Sequence, residues 1–95
     1  MDTGDRERKR AWKAQQRQLA QAAFPISSEL LQAMFETVEA QVDENGCDHT
    51  LRFTNQWIAD EQQPMDKIAP WLAQHGGFCD CEVIANAFDH WEQNR

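Results

Sequence analysis

Apolar residues recur with a helical period through most of this chain. The clearest run is Leu30, Met34, Val38 and Val42, spaced every four residues and widened by Leu31 and Phe35. Ser27 stands ahead of it as an N-cap, Glu29 falls in the first turn, and Ile26 with Leu31 has the spacing of a hydrophobic staple. Asn45-Gly46 supplies a left-handed exit. Val83, Ile84, Ala87, Phe88 and Trp91 form a second apolar stripe, on a last helix that Cys79 or Asp80 can cap. A short helix opened by Asp66 places Ile68, Trp71 and Leu72 on one face and ends at Gly76-Gly77; Pro70 fits it only in or near the first turn. Leu51, Thr54, Trp57 and Ile58 suit a helix capped by Asp48. The same stretch alternates like a strand, but a lone strand would have no partner. Helix is the consistent reading.

Residues 5–23 differ from the rest. They contain no glycine or proline and are rich in Arg, Lys, Gln and Ala, but Trp12 and Leu19 are their only large apolar residues. The pattern predicts an all-α fold, a small bundle of four to five short helices in residues 24–95, preceded by a basic, largely polar helical arm over residues 1–23.

At 95 residues the chain holds one domain with a small core, and a core of this size gains from an added staple such as a metal. Its net charge of −7 is unevenly distributed: residues 1–20 carry +3 and the remainder −10. A basic arm on an acidic body suits a protein partner or self-association through the arm. It disfavours nucleic acid, because the body would repel a phosphate backbone. No stretch has the length and apolarity of a membrane span, and no hydrophobic segment follows the N-terminal basic residues as in a secretory signal. Three cysteines cannot pair completely, which points to a reducing, cytoplasmic setting.

All three cysteines lie in two short motifs, Cys47-Asp48-His49 and Cys79-Asp80-Cys81. Each follows a glycine turn and precedes a predicted helix, with corresponding positions 32 residues apart. Thiolate and imidazole are the ligands zinc prefers, and Cys47, His49, Cys79 and Cys81 would complete a tetrahedral structural site. Cys79 and Cys81 can share one ion only if Cys79 lies outside the helix, because residues two apart on a helix diverge. The aspartates are expected to cap backbone N–H groups. Two other readings use the same residues. In one, Cys79 is a nucleophile of a thiol- or metal-dependent enzyme, its thiol made acidic by a helix N-terminus, with His49 or His75 as base and Glu82 nearby. In the other, the cysteines pack as small hydrophobes in a metal-free adaptor. His75 reads as the end of its helix and His90 as an ordinary surface residue.

The segments Gly46-Cys47-Asp48-His49-Thr50-Leu51-Arg52-Phe53-Thr54 and His75-Gly76-Gly77-Phe78-Cys79-Asp80-Cys81-Glu82-Val83-Ile84 resemble a family of small bacterial proteins known as domain of unknown function 2695. The likeness runs through most of residues 25–88. It implies a compact stand-alone bacterial protein whose pattern includes Cys47, His49, Cys79 and Cys81, and it implies no activity.

Overall fold

The computed structural model describes residues 3–95. The first two residues of the basic arm lie outside it. Helix α1 spans Thr3–Ala22, α2 Ser28–Asn45, α3 Arg52–Asp60 and α4 Met65–Gln74. The last helix, α5, is continuous but not uniform: Asp80–Glu82 is α-helical, Val83–Ala87 forms a π-helical turn, and Phe88–Asn94 returns to α geometry. The described residues contain no strand, so the fold is an all-α bundle.

The local signals at the start of α2 act as its sequence requires. Ser27 is extended (φ −60°, ψ 153°) and its hydroxyl accepts from Leu30 N at 3.2 Å, satisfying a donor that the first turn leaves unpaired. One face of α2 then enters the core through Leu31, Met34, Phe35 and Val38, which are all but inaccessible to water. Trp57 and Ile58 of α3 meet them, as do Ile68, Trp71 and Leu72 of α4 and Val83, Ala87 and Trp91 of α5. Phe35 is the aromatic hub. It lies edge-on to Phe88 and tilted against Trp91, with both centroids 5.5 Å away. The Trp91 indole N–H donates to Ser28 Oγ at 2.8 Å, so the buried ring keeps its polar atom satisfied.

Three expectations are corrected. Helix α3 begins at Arg52 with Leu51 at its N-cap, so Asp48 lies too far upstream to cap it. Helix α4 begins at Met65 behind Pro64, which puts Pro70 in its interior. Pro70 and Asp66 are both exposed, so water can reach the carbonyl that loses its i+4 donor. His90 is half-buried and not an ordinary surface residue: its ring stacks on His75 with centroids 3.6 Å apart, and Trp71 and Phe24 lie edge-on to it.

Helix α1 stands apart from the core. Trp12 and Leu19 are 61% and 58% exposed, and the helix meets the body at the end of α5, where Gln21 Nε2 donates to the Asn94 carbonyl at 2.8 Å. The molecule is correspondingly long, 52 Å by 24 Å by 19 Å.

Candidate metal centre

The loop leaving α2 turns at Gly46, whose φ of 77° suits a residue without Cβ and whose N–H donates to Val42 O at 2.7 Å. Cys47, Asp48 and His49 follow. The Asp48 carboxylate accepts from Thr50 N at 3.1 Å and from the Thr50 hydroxyl, closing an Asx turn. Arg52 Nε lies 3.5 Å from the same carboxylate, and Arg52 Nη2 donates to Gly46 O at 3.4 Å. Thr50 and Arg52 hold the Asp48 carboxyl below the usual carboxylate range, the Thr50 hydroxyl most of all. His49 takes the left-handed conformation (φ 66°), which a side chain rarely adopts outside a constrained site.

The second loop is shaped by the packing of its glycines. Gly77 N donates to Leu72 O at 2.7 Å; a Cβ there would sit 3.2 Å from Val83 Cγ2 and 3.3 Å from Leu72 O. Gly76 has φ +76°, and Asn86, inside the π turn, donates to its carbonyl at 3.0 Å. The wider π turn thus ties α5 back to the loop that introduces it. After exposed Phe78, Cys79 is extended (φ −145°, ψ 170°) at the N-cap of α5. It lies outside the helix, which meets the condition for sharing an ion with Cys81.

Asp80 joins the two loops. It is fully buried, and its carboxylate crosses to the start of α3, accepting from Phe53 N at 3.0 Å, Thr54 N at 3.0 Å and Thr54 Oγ1 at 2.7 Å. Its own N–H donates to Thr50 O at 2.9 Å. The expectation that Asp80 caps backbone donors is therefore right in chemistry but assigned to the wrong helix. Leu51, at the N-cap of α3, has no oxygen to offer its first turn. A carboxylate from elsewhere supplies one, at the positive end of the helix dipole.

This clamp brings Cys47, His49 and Cys79 together. Their ligand atoms lie within 4.8 Å of one another, with Cys79 buried, Cys47 half-buried and His49 exposed. Cys47 Sγ is the centre of a hydrogen-bond network, accepting from His49 N and Cys81 N, both at 3.4 Å. Those two N–H groups, Cys81 first, lower the Cys47 thiol from its ordinary value, and the Cys81 and Cys79 thiols add to the effect. Burial pushes the Cys79 thiol up, and its bond to Cys47 adds to that. The acidic thiol expected at Cys79 is thus found at Cys47. Cys81, exposed and not one of the three mutually close ligands, is pushed up to about 11, first by its bond to the Cys47 sulfur. Two soft sulfurs and an imidazole nitrogen at this separation can hold a metal ion. Glu82 is half-buried with its carboxyl beside the Cys79 thiol. His75 stacks on His90 and is not among the mutually close ligand groups.

The profile of a family described as a protein of unknown function, DUF2695, matches residues 34–86, a span containing all four ligand candidates. Two mycobacterial proteins, each named only as uncharacterised, are 30% identical to the chain over 76 residues: Mb2294 of Mycobacterium bovis and Rv2271 of Mycobacterium tuberculosis. The match covers 80% of this chain and 77% of each relative. No solved structure matches it.

Proposed function

The chain belongs to the DUF2695 family, and from that premise we propose that it is a small cytoplasmic interaction module whose two loops are stapled by a structural zinc ion. One observation carries the reading: Cys47, His49 and Cys79, from segments about thirty residues apart, present ligand atoms within 4.8 Å of one another. Zinc–sulfur and zinc–nitrogen bonds of about 2.3 and 2.0 Å separate tetrahedral ligands by somewhat under 4 Å, so only a small contraction is required. Cys81 is the fourth ligand in this proposal. Its backbone N–H donates to the Cys47 sulfur at 3.4 Å, and closing a fourth position is what distinguishes a structural site from a catalytic one. The N–H groups of His49 and Cys81 aimed at Cys47 Sγ favour the thiolate a metal needs.

The test is native mass spectrometry of protein purified without affinity metals and then offered zinc. The proposal expects one zinc per chain, lost together with stability when Cys47, Cys79 or Cys81 is changed to serine. Only apo mass after loading defeats it. The thiol-enzyme reading is supported by the lowered Cys47 thiol alone, and alkylation separates the two. Slow labelling that a chelator accelerates supports the zinc site; fast labelling of Cys47 that a chelator leaves unchanged supports the enzyme.

A further inference from the structure

Helix α1 carries two large side chains that its own fold leaves uncovered. Trp12 edges a shallow concavity with Gln93 and Asn94 yet remains 61% exposed, and Leu19 is 58% exposed. Seven residues apart, they share one face, with Lys9 and Arg8, the latter in an exposed ion pair with Asp5 at 3.6 Å, one turn before Trp12 on the same side. The helix has 20 residues and therefore extends about 30 Å. Isolated exposed apolar residues are ordinary on a protein surface. An exposed indole among cations, on a helix that adds little to the core, is a different case.

A matching surface lies on the body. Between α2 and α3 there is a cleft of about 420 Å³, lined by Phe53 and Trp57 with Gln41 and Arg52 beside them and Asp60 and Glu61 at one end. Arg52 does not neutralise this acidic end, because its guanidinium covers the Phe53 ring at 4.3 Å and pairs with Asp48. Asp60 accepts only an amide hydrogen bond, from Gln56 at 2.9 Å, and among the described residues neither Asp60 nor Glu61 forms an ion pair. The cleft therefore offers the half-buried Phe53 ring and, at Asp60 and Glu61, negative charge with no ion-pair partner among the described residues, which suits an indole flanked by cations.

Helix α1 lines no part of this cleft in its own chain. Its base is tied at Gln21 to Asn94, and Phe24 just beyond it lies edge-on to Trp71 at 6.0 Å. We propose that the chain self-associates by exchanging this arm: Trp12 of one copy enters the α2–α3 cleft of another, and Arg8 and Lys9 meet Asp60 and Glu61. The same contact repeated in the other direction gives a closed two-fold dimer. The charge distribution supports the exchange, since each arm of +3 lies against a body of −10, whereas two bodies meeting directly would repel. This inference is independent of the metal and concerns a surface made by other residues.

Sedimentation equilibrium of the full chain tests it. The expected result is a dimer that weakens with rising salt. Trp12→Ala should weaken it at least about tenfold, as loss of a central aromatic anchor does. The Asp60→Lys/Glu61→Lys pair should do the same, and adding Arg8→Glu/Lys9→Glu to that pair should restore association. Circular dichroism checks that each variant keeps its helices; all five positions are exposed. A monomer at every accessible concentration overturns the proposal, as does a dimer that ignores Trp12→Ala. A dimer that needs Trp12 but ignores the Asp60/Glu61 reversal places the arm elsewhere and overturns it too.

Discussion

Replacing Asp80 by asparagine keeps the shape of the side chain and removes its charge, which isolates the clamp between the two loops. One carboxylate oxygen accepts from Thr54 N and Thr54 Oγ1 and the other from Phe53 N. An asparagine oxygen can keep the Thr54 pair, but its amide nitrogen then faces Phe53 N–H, donor against donor, in a fully buried site. Hydrogen bonds to a charged acceptor contribute about 1.5–3 kcal/mol each, and an orphaned buried donor costs about 1–3 kcal/mol. With one bond lost and two weakened, Asp80→Asn should destabilise the fold by about 2–4 kcal/mol. For a domain of this size that lowers Tm by roughly 10–25 °C. Asp80→Ala, which abandons all three donors, should cost more. Thr54→Val removes only the hydroxyl bond and should cost about 1–3 kcal/mol. Urea unfolding followed by circular dichroism measures each, with the slope m unchanged if only stability has moved. A loss below about 1 kcal/mol for Asp80→Asn would show that the carboxylate is not what holds α3 to the second loop.

Three further outcomes follow from the same contacts. Gly77→Ala should cost about 1–3 kcal/mol by urea unfolding, because its Cβ meets Val83 Cγ2 at 3.2 Å and the Leu72 carbonyl at 3.3 Å; Gly46→Ala should lose only the smaller backbone term, since nothing lies within 4 Å of its Cβ. His75 and His90 are both held below the ordinary histidine value, first by burial, so the unfolded chain binds protons the folded one resists. Stability should therefore be full above the unfolded pKa of about 6.5 and fall as pH drops below it, and Tm scans of a His75→Gln/His90→Gln variant should lose part of that dependence. A chain beginning at Phe24 should keep the Tm of the body, because no described side chain of α1 belongs to the buried core; a large drop would show that α1 stabilises the end of α5.

The parts of the fold legible in sequence are those set by neighbours in the chain. Ser27 caps α2 through a donor three residues away, and the four-residue repeat of Leu30, Met34 and Val38 decides which face turns inward before any tertiary contact exists. Asp80 shows where such reading ends. Its charge signals a cap, but the donors it serves are 26 and 27 residues away and are chosen by packing. The histidine stack is hidden for the same reason: His75 and His90 meet only because α4 and α5 pack side by side. One further signal lies in the sequence itself: a helix starting behind Leu51 has no oxygen at its own N-cap and needs an acceptor from outside. At the candidate site, the glycine turns and helix starts suggested that the two motifs could converge, and Cys47, His49 and Cys79 do come together. Which thiol becomes most acidic was not legible, because it depends on two backbone N–H groups that only the folded loops aim at Cys47.

Cobalt(II) titration of the metal-free protein decides whether the two cysteine loops hold an ion, because cobalt reports both coordination geometry and bound thiolate in its absorption spectrum. Saturation is expected at one ion per chain, with the intense visible bands of a tetrahedral site and a sulfur-to-metal charge-transfer band. That band should weaken in each of Cys47→Ser, Cys79→Ser and Cys81→Ser, and zinc should displace the cobalt. A weak, octahedral spectrum without charge transfer, or a charge-transfer band that all three serine variants retain in full, would contradict it.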